Sequence, residues 1–184
     1  IITAYAQSLP IVPSTNGNDT WYYICYNETG RNSPQLPNGS WGYLTDELVF
    51  TVTQEESDAQ LWKFVDNGSG GYQIVSKNGY YIVPAATITK NQAAPDKAWT
   101  IEESATAGLY VIYNGDVPSQ IHANKDTRLV NWGYNSESST SGARKNDAGC
   151  NFKFIEFEGE IEVNYPIDEY EEPRVGTTPN ASEW

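Results

Sequence analysis

The sequence predicts an all-β fold of twelve strands in three four-stranded repeats. Three observations carry this: an aromatic-x-Ile step that recurs three times, a closing strand that recurs three times on a large aromatic, and the absence of any window with a helical stripe. A length of 184 residues suits one domain with additional chain at its ends.

The opening steps are Tyr22-Tyr23-Ile24, Tyr72-Gln73-Ile74 and Tyr110-Val111-Ile112. Residues two apart in a strand face the same way, so each aromatic and its isoleucine point inward together. A second short strand follows each, at Gly42-Tyr43-Leu44, Tyr80-Tyr81-Ile82 and Ser119-Gln120-Ile121, and then a third, at Leu48–Val52, Ala86–Thr89 and Arg128–Trp132. Each unit closes after an aspartate-led turn on Trp62-Lys63-Phe64, Trp99-Thr100-Ile101 or Phe152-Lys153-Phe154. Runs such as 66–71, Lys77-Asn78-Gly79 and Asn114-Gly115-Asp116 supply turns between strands. The expected core is the inward aromatic and isoleucine positions, with Ile24, Ile74 and Ile112 equivalent to one another and Trp62, Trp99 and Phe152 likewise.

Gln60-Leu61-Trp62 matches the Gln-x-Trp signature of ricin-type β-trefoils, with Trp99 and Phe152 standing where that aromatic recurs. Over about residues 20–157 the chain resembles the trefoil carbohydrate-binding modules attached to secreted bacterial glycan-degrading enzymes. It departs from the pattern where the glutamine position holds Lys97 and Cys150. The resemblance implies a β-trefoil over residues 20–163, preceded by an N-terminal arm or signal remnant (1–19) and followed by an acidic extension or linker (164–184).

It also implies a non-catalytic module that binds a glycan or polysaccharide and needs no cofactor. The family's shallow sites combine an aspartate, an aromatic under the sugar ring and a polar amide. The third repeat offers Asn124, Asp126, Arg128, Asn131, Trp132 and Tyr134 around one hairpin, next to an enlarged loop, 133–146. Its bases, Arg128 and Arg144 among them, suggest a carboxylated or sulfated glycan. The first repeat offers a partial set, Asp46, Phe50 and Gln60; the second has no aromatic in its third strand. A structural or protein-interaction trefoil is the alternative, with the loop from Asn27 to Trp41 as its contact segment. In that case Trp132 would pack under its loop; glycan binding requires it exposed.

Composition narrows the partners. A net charge of −13 argues against nucleic acid and anionic membranes, whose binding depends on Lys and Arg. No apolar run reaches the length of a membrane span. Nine acids and one base, Arg174, follow residue 154, and the Pro- and Glu-rich stretch from Tyr165 reads as a linker to further domains. Ala4-Tyr5-Ala6 has the form of a signal cleavage site, consistent with a secreted or cell-surface protein. Five Asn-x-Ser/Thr sequons add little in so Asn- and Ser-rich a chain.

One histidine, His122, and the absence of nucleophile-elbow, zinc-helix and phosphate-loop patterns give an enzyme little support. His122 is expected to be a surface or hydrogen-bonded residue rather than a base. The two cysteines, Cys25 and Cys150, either form one disulfide or remain thiols: the first and last strands adjoin, but the two side chains are expected to face differently. No metal site is expected.

Overall fold

The computed structural model describes residues 9–29, 33–133 and 147–159. Tyr134, Arg144, the arm before residue 9 and the chain beyond residue 159 lie outside the described residues.

Twelve strands are present: β1 (Tyr22–Asn27), β2 (Trp41–Leu44), β3 (Phe50–Thr51), β4 (Trp62–Asp66), β5 (Tyr72–Ser76), β6 (Tyr81–Val83), β7 (Thr89–Asn91), β8 (Thr100–Glu103), β9 (Tyr110–Asn114), β10 (Ser119–Ala123), β11 (Leu129–Asn131) and β12 (Phe152–Glu156). Among the described residues the only helical element is a 3-10 turn at Ala148–Cys150. The opening and closing strands build a barrel whose pairing repeats three times. Phe64 lies opposite Ile74, Ile101 opposite Ile112, and Phe154 opposite Ile24. Between those pairs, Tyr22 meets Trp62, Tyr72 meets Trp99, and Tyr110 meets Phe152, which closes the ring. Closure matters because it leaves no barrel strand with an unpaired edge.

The predicted equivalence holds. Ile24, Ile74, Ile112, Trp62, Trp99 and Phe152 are all essentially sealed from solvent in one cluster. Two of the three closing aromatics also satisfy a polar atom: Trp62 Nε1 donates to the Leu44 carbonyl at 3.0 Å, and Trp99 Nε1 to that of Ile82 at 2.8 Å. A buried indole N–H needs such a partner. Phenylalanine at 152 has no N–H to satisfy.

Hairpins β2–β3, β6–β7 and β10–β11 cap the barrel. The first and third turn in the same way. Thr45 N–H donates to the Val49 carbonyl and Leu48 N–H to that of Thr45; Asn124 N–H donates to Arg128 and Thr127 N–H to Asn124. Leu48 (φ 58°) and Thr127 (φ 66°) both take the left-handed conformation this turn demands. The two tips are stitched together by Phe50 N–H to the Thr127 carbonyl and Leu129 N–H to that of Leu48, each 2.8 Å.

Three expectations are corrected or refined. The third strand of the second repeat runs Thr89–Asn91, not Ala86–Thr89: its pairing sets Thr89, Lys90 and Asn91 opposite Val83, Ile82 and Tyr81, while Ile88 buries itself from the bend before the strand. The segment from Leu9 is integral to the domain, since Ile11 joins the core and Ser14 N–H donates to the Phe64 carbonyl at 2.7 Å. Cys25 and Cys150 are thiols rather than a disulfide. Cys25 packs on the outer face with Tyr23 and Leu61, and Cys150 with Val111 and Tyr113, so their side chains enter different clusters.

The described parts of the long connection between β1 and β2 are anchored at several points. Leu36 is in the core, and the fully buried Glu28 carboxylate accepts from Tyr26 Oη at 3.1 Å and Ser33 N–H at 3.3 Å. Ser33 Oγ donates to the Lys125 carbonyl, tying this connection to the third-repeat hairpin.

Candidate functional site

The β10–β11 hairpin gathers most of the third-repeat residues. Along and just beyond β11, Arg128, Val130 and Trp132 share one face while Leu129 turns into the core, as strand alternation requires. Of the described tryptophans only Trp132 is exposed, at 48%. The indole is not loose, however. It stacks on the His122 ring with centroids 4.0 Å apart and planes at 30°.

His122 in turn is braced. It is 2% exposed on β10, opposite Val130, and a 3.2 Å hydrogen bond joins its Nε2 to Asp147 Oδ1. The same carboxylate oxygen accepts from Gly149 N–H at 2.8 Å, capping the 3-10 turn. One face of Trp132 is therefore seated on a fixed imidazole, and its exposure falls on the rest of the indole. Of the two expected placements of His122, surface or hydrogen-bonded, the structure shows the second: the ring is buried and bonded to Asp147.

The polar members sit at the turn, about 13 Å along the strand from Trp132 at ~3.3 Å per residue. Asp126 Oδ1 accepts from Asn124 Nδ2 at 2.8 Å and Arg128 N–H at 3.3 Å, and Oδ2 from Arg128 Nε at 2.6 Å. The Arg128 guanidinium beside it, helped by the Arg128 N–H and Asn124, holds the Asp126 carboxyl below the usual carboxylate range. Arg128 is thus already matched by an acid, 2.5 Å from Nη2, and brings no uncompensated charge for an anionic ligand.

Asn131 is likewise engaged elsewhere. Its Oδ1 accepts from Gln120 N–H at 3.0 Å and Gly133 N–H at 2.7 Å, and its Nδ2 lies within 3.1–3.3 Å of the carbonyls of Ala85, Ala86 and Pro118. It ties the third repeat to the second and has no hydrogen-bonding capacity left for a sugar hydroxyl.

The first-repeat set does not form a surface site. Phe50 is 3% exposed, meeting Tyr26 edge-on at 4.7 Å and stacking on Phe152 at 6.1 Å. The matching turns explain this: Phe50 is the counterpart of Leu129, which is also buried, whereas the counterpart of Trp132 is Thr53. Gln60 is buried, its Oε1 accepting from Glu55 N–H and its Nε2 donating to Thr51 Oγ1 and the Thr53 carbonyl, so it braces the loop after β3. Asp46 is buried too and accepts from Asn78 Nδ2 at 2.7 Å.

His122, Asp147 and Cys150 bring one nitrogen, one oxygen and one sulfur ligand atom within 4.8 Å of one another. The 3-10 turn accounts for this, because residues three apart eclipse in it. These are the only such metal-capable group among the described residues. The Asp147 oxygen that faces His122 already carries two hydrogen bonds in the bracing of Trp132.

The sequence did not foresee a cleft of about 660 Å³ between the first and third repeats. Asn27, Thr29, Trp41, the 106–109 turn, Ala148, Asn151 and Lys153 line it. Its parts come from β1, β2, the β8–β9 turn and β12, and no local motif signals that they meet.

No family model matches this sequence, and no curated protein matches it. Solved structures do. The BEL β-trefoil aligns with a TM-score of 0.51 at 14% identity, covering 82% of this chain and all of its own. The Rhizoctonia solani agglutinin (TM-score 0.49, 14% identity, 83% of this chain and 100% of its own) and the Macrolepiota procera ricin B-like lectin in complex with lactose (0.49, 14%, 79% and 98%) also align. With its three equivalent strand pairings and its likeness to the BEL structure, this chain is a β-trefoil.

Proposed function

We propose that the chain is a non-catalytic carbohydrate-binding module of a secreted or cell-surface protein, which brings an attached glycan-active enzyme to its polysaccharide. The observation that carries the reading is Trp132, the one described tryptophan left exposed, held face-down on a buried imidazole at 4.0 Å. A single exposed apolar side chain is ordinary on a protein surface; what sets this one apart is the buried ring it is seated on. Immobilised beforehand, it offers a flat apolar surface to the C–H face of a sugar at little entropic cost.

Asn124 and Asp126, organised by the turn of the same hairpin and partly accessible, are the polar groups offered to the hydroxyls of a ligand long enough to reach them. Tyr134 completes the proposed set, while Asn131 and the first-repeat residues support the scaffold instead. The solved lectins with this fold lend the reading plausibility as to class of ligand.

A glycan array probed with the full chain tests it. Binding to a defined set of plant, microbial or host glycans is the expected result. A clean array, with a folded protein, would move the assignment to a protein-interaction module.

A further inference from the structure

The cleft between the first and third repeats has three features that ordinary packing does not require together. Asn151 is 6% exposed and lines it, yet the buried Oδ1 of its side chain accepts no hydrogen bond. A buried acceptor without a donor is costly, so a native structure that retains one calls for an explanation. The Lys153 ammonium lies 5.5 Å from the centre of the Trp41 ring, and no carboxylate among the described residues forms an ion pair with it. Trp41, Ala107, Leu109 and Ala148 give the cleft apolar walls.

From these features we infer that the cleft is a second ligand site, and that its occupant is a sugar residue bearing a carboxylate. Each feature answers one part of such a ligand. A ring hydroxyl donates to Asn151 Oδ1, reached by rotation about the soft terminal torsion of the amide. The carboxylate pairs with Lys153, which, unlike Arg128, has no carboxylate partner among the described residues. The C–H surface of the ring lies against Trp41 and its apolar neighbours. A neutral sugar would leave Lys153 unmatched, and a simple anion would leave Asn151 and the apolar walls without partners. The inference shares only its class of ligand with the proposed function and involves none of the Trp132 hairpin residues, so either can fail alone.

The test is a titration of the ¹⁵N-labelled full chain with sodium D-glucuronate, with D-glucose and sodium acetate as matched probes, followed by two-dimensional NMR. The Trp41 indole signal is assigned with Trp41→Phe. Saturable shifts of the Trp41 indole and the Asn151 side-chain amide are expected with glucuronate, at about tenfold higher affinity than for glucose, the worth of one charge-assisted hydrogen bond. Lys153→Gln should erase that preference, added salt should narrow it, and Trp132→Ala should leave the Trp41 response intact. Absence of a saturable Trp41 or Asn151 response, equal responses to glucuronate and acetate, or an unchanged preference in Lys153→Gln would each overturn the inference.

Discussion

Replacing Trp62 with phenylalanine asks whether the closing aromatics hold the barrel as described. Trp62 is completely buried and its Nε1 donates to the Leu44 carbonyl. Phenylalanine already occupies the equivalent position in the third unit, at 152, so the change does not conflict with the fold. It does remove about a third of the indole's ring atoms and its donor. The unpaired carbonyl costs about 1–3 kcal/mol. The void left by the lost ring atoms adds on the order of 1 kcal/mol, a fraction of the ~3–5 kcal/mol of a full truncation to alanine. A destabilisation of about 2–4 kcal/mol is expected, and Trp99→Phe should match it because Trp99 makes the same bond to Ile82. Urea denaturation followed by circular dichroism reads the change as a shifted midpoint at constant slope. A loss below about 0.5 kcal/mol in both variants would refute the reasoning that these indoles are polar as well as apolar keystones.

Thiol reagents should find neither cysteine in the native protein and both after denaturation, since Cys25 and Cys150 are fully buried thiols; finding none after denaturation would restore the disulfide. Burial pushes the Cys25 thiol up to about 12 from an ordinary value of 9.0. The unfolded chain therefore loses that proton first, and stability should decline as pH rises from about 9 toward 12; Cys25→Ser should flatten this slope in alkaline denaturation curves. The opposite sign applies to Asp126, whose lowered value means that its contribution is present above the ordinary carboxylate range and fades as pH falls through it. Chemical shifts of the Asp126 carboxyl should show this titration displaced to lower pH, and Arg128→Ala should bring it back. Gln60→Ala should cost about 1–3 kcal/mol through the unpaired loop groups it leaves, without altering glycan binding; a selective loss of binding would return Gln60 to the site.

The barrel was legible because its signal is local and repeated. Tyr22, Tyr72 and Tyr110 open strands, and Trp62, Trp99 and Phe152 close them, wherever the three chain segments lie. The cap was less so. Phe50 and Trp132 look alike as aromatics near the third strand of a unit, but three places separate them in the register of their matched turns, enough to bury one and expose the other. That register is set by hydrogen bonds from Thr45 and Asn124, which pattern alone does not reveal. Asp126 and Arg128 lie on one hairpin, yet their mutual pairing depends on a turn with Thr127 in a left-handed conformation. The cleft at Trp41 was invisible because Asn27, Leu109 and Lys153 approach only through the closure of β12 on β1 and β9.

Calorimetry on a glycan identified by array, comparing the native chain with Trp132→Ala and Trp132→Phe, tests whether the exposed indole is the sugar platform. Alanine is expected to weaken binding at least about tenfold, equivalent to ~1.4 kcal/mol of lost stacking, phenylalanine to retain part of the affinity, and both variants to match the native stability to urea within ~0.5 kcal/mol. Binding to Trp132→Ala as tight as to the native chain would contradict it.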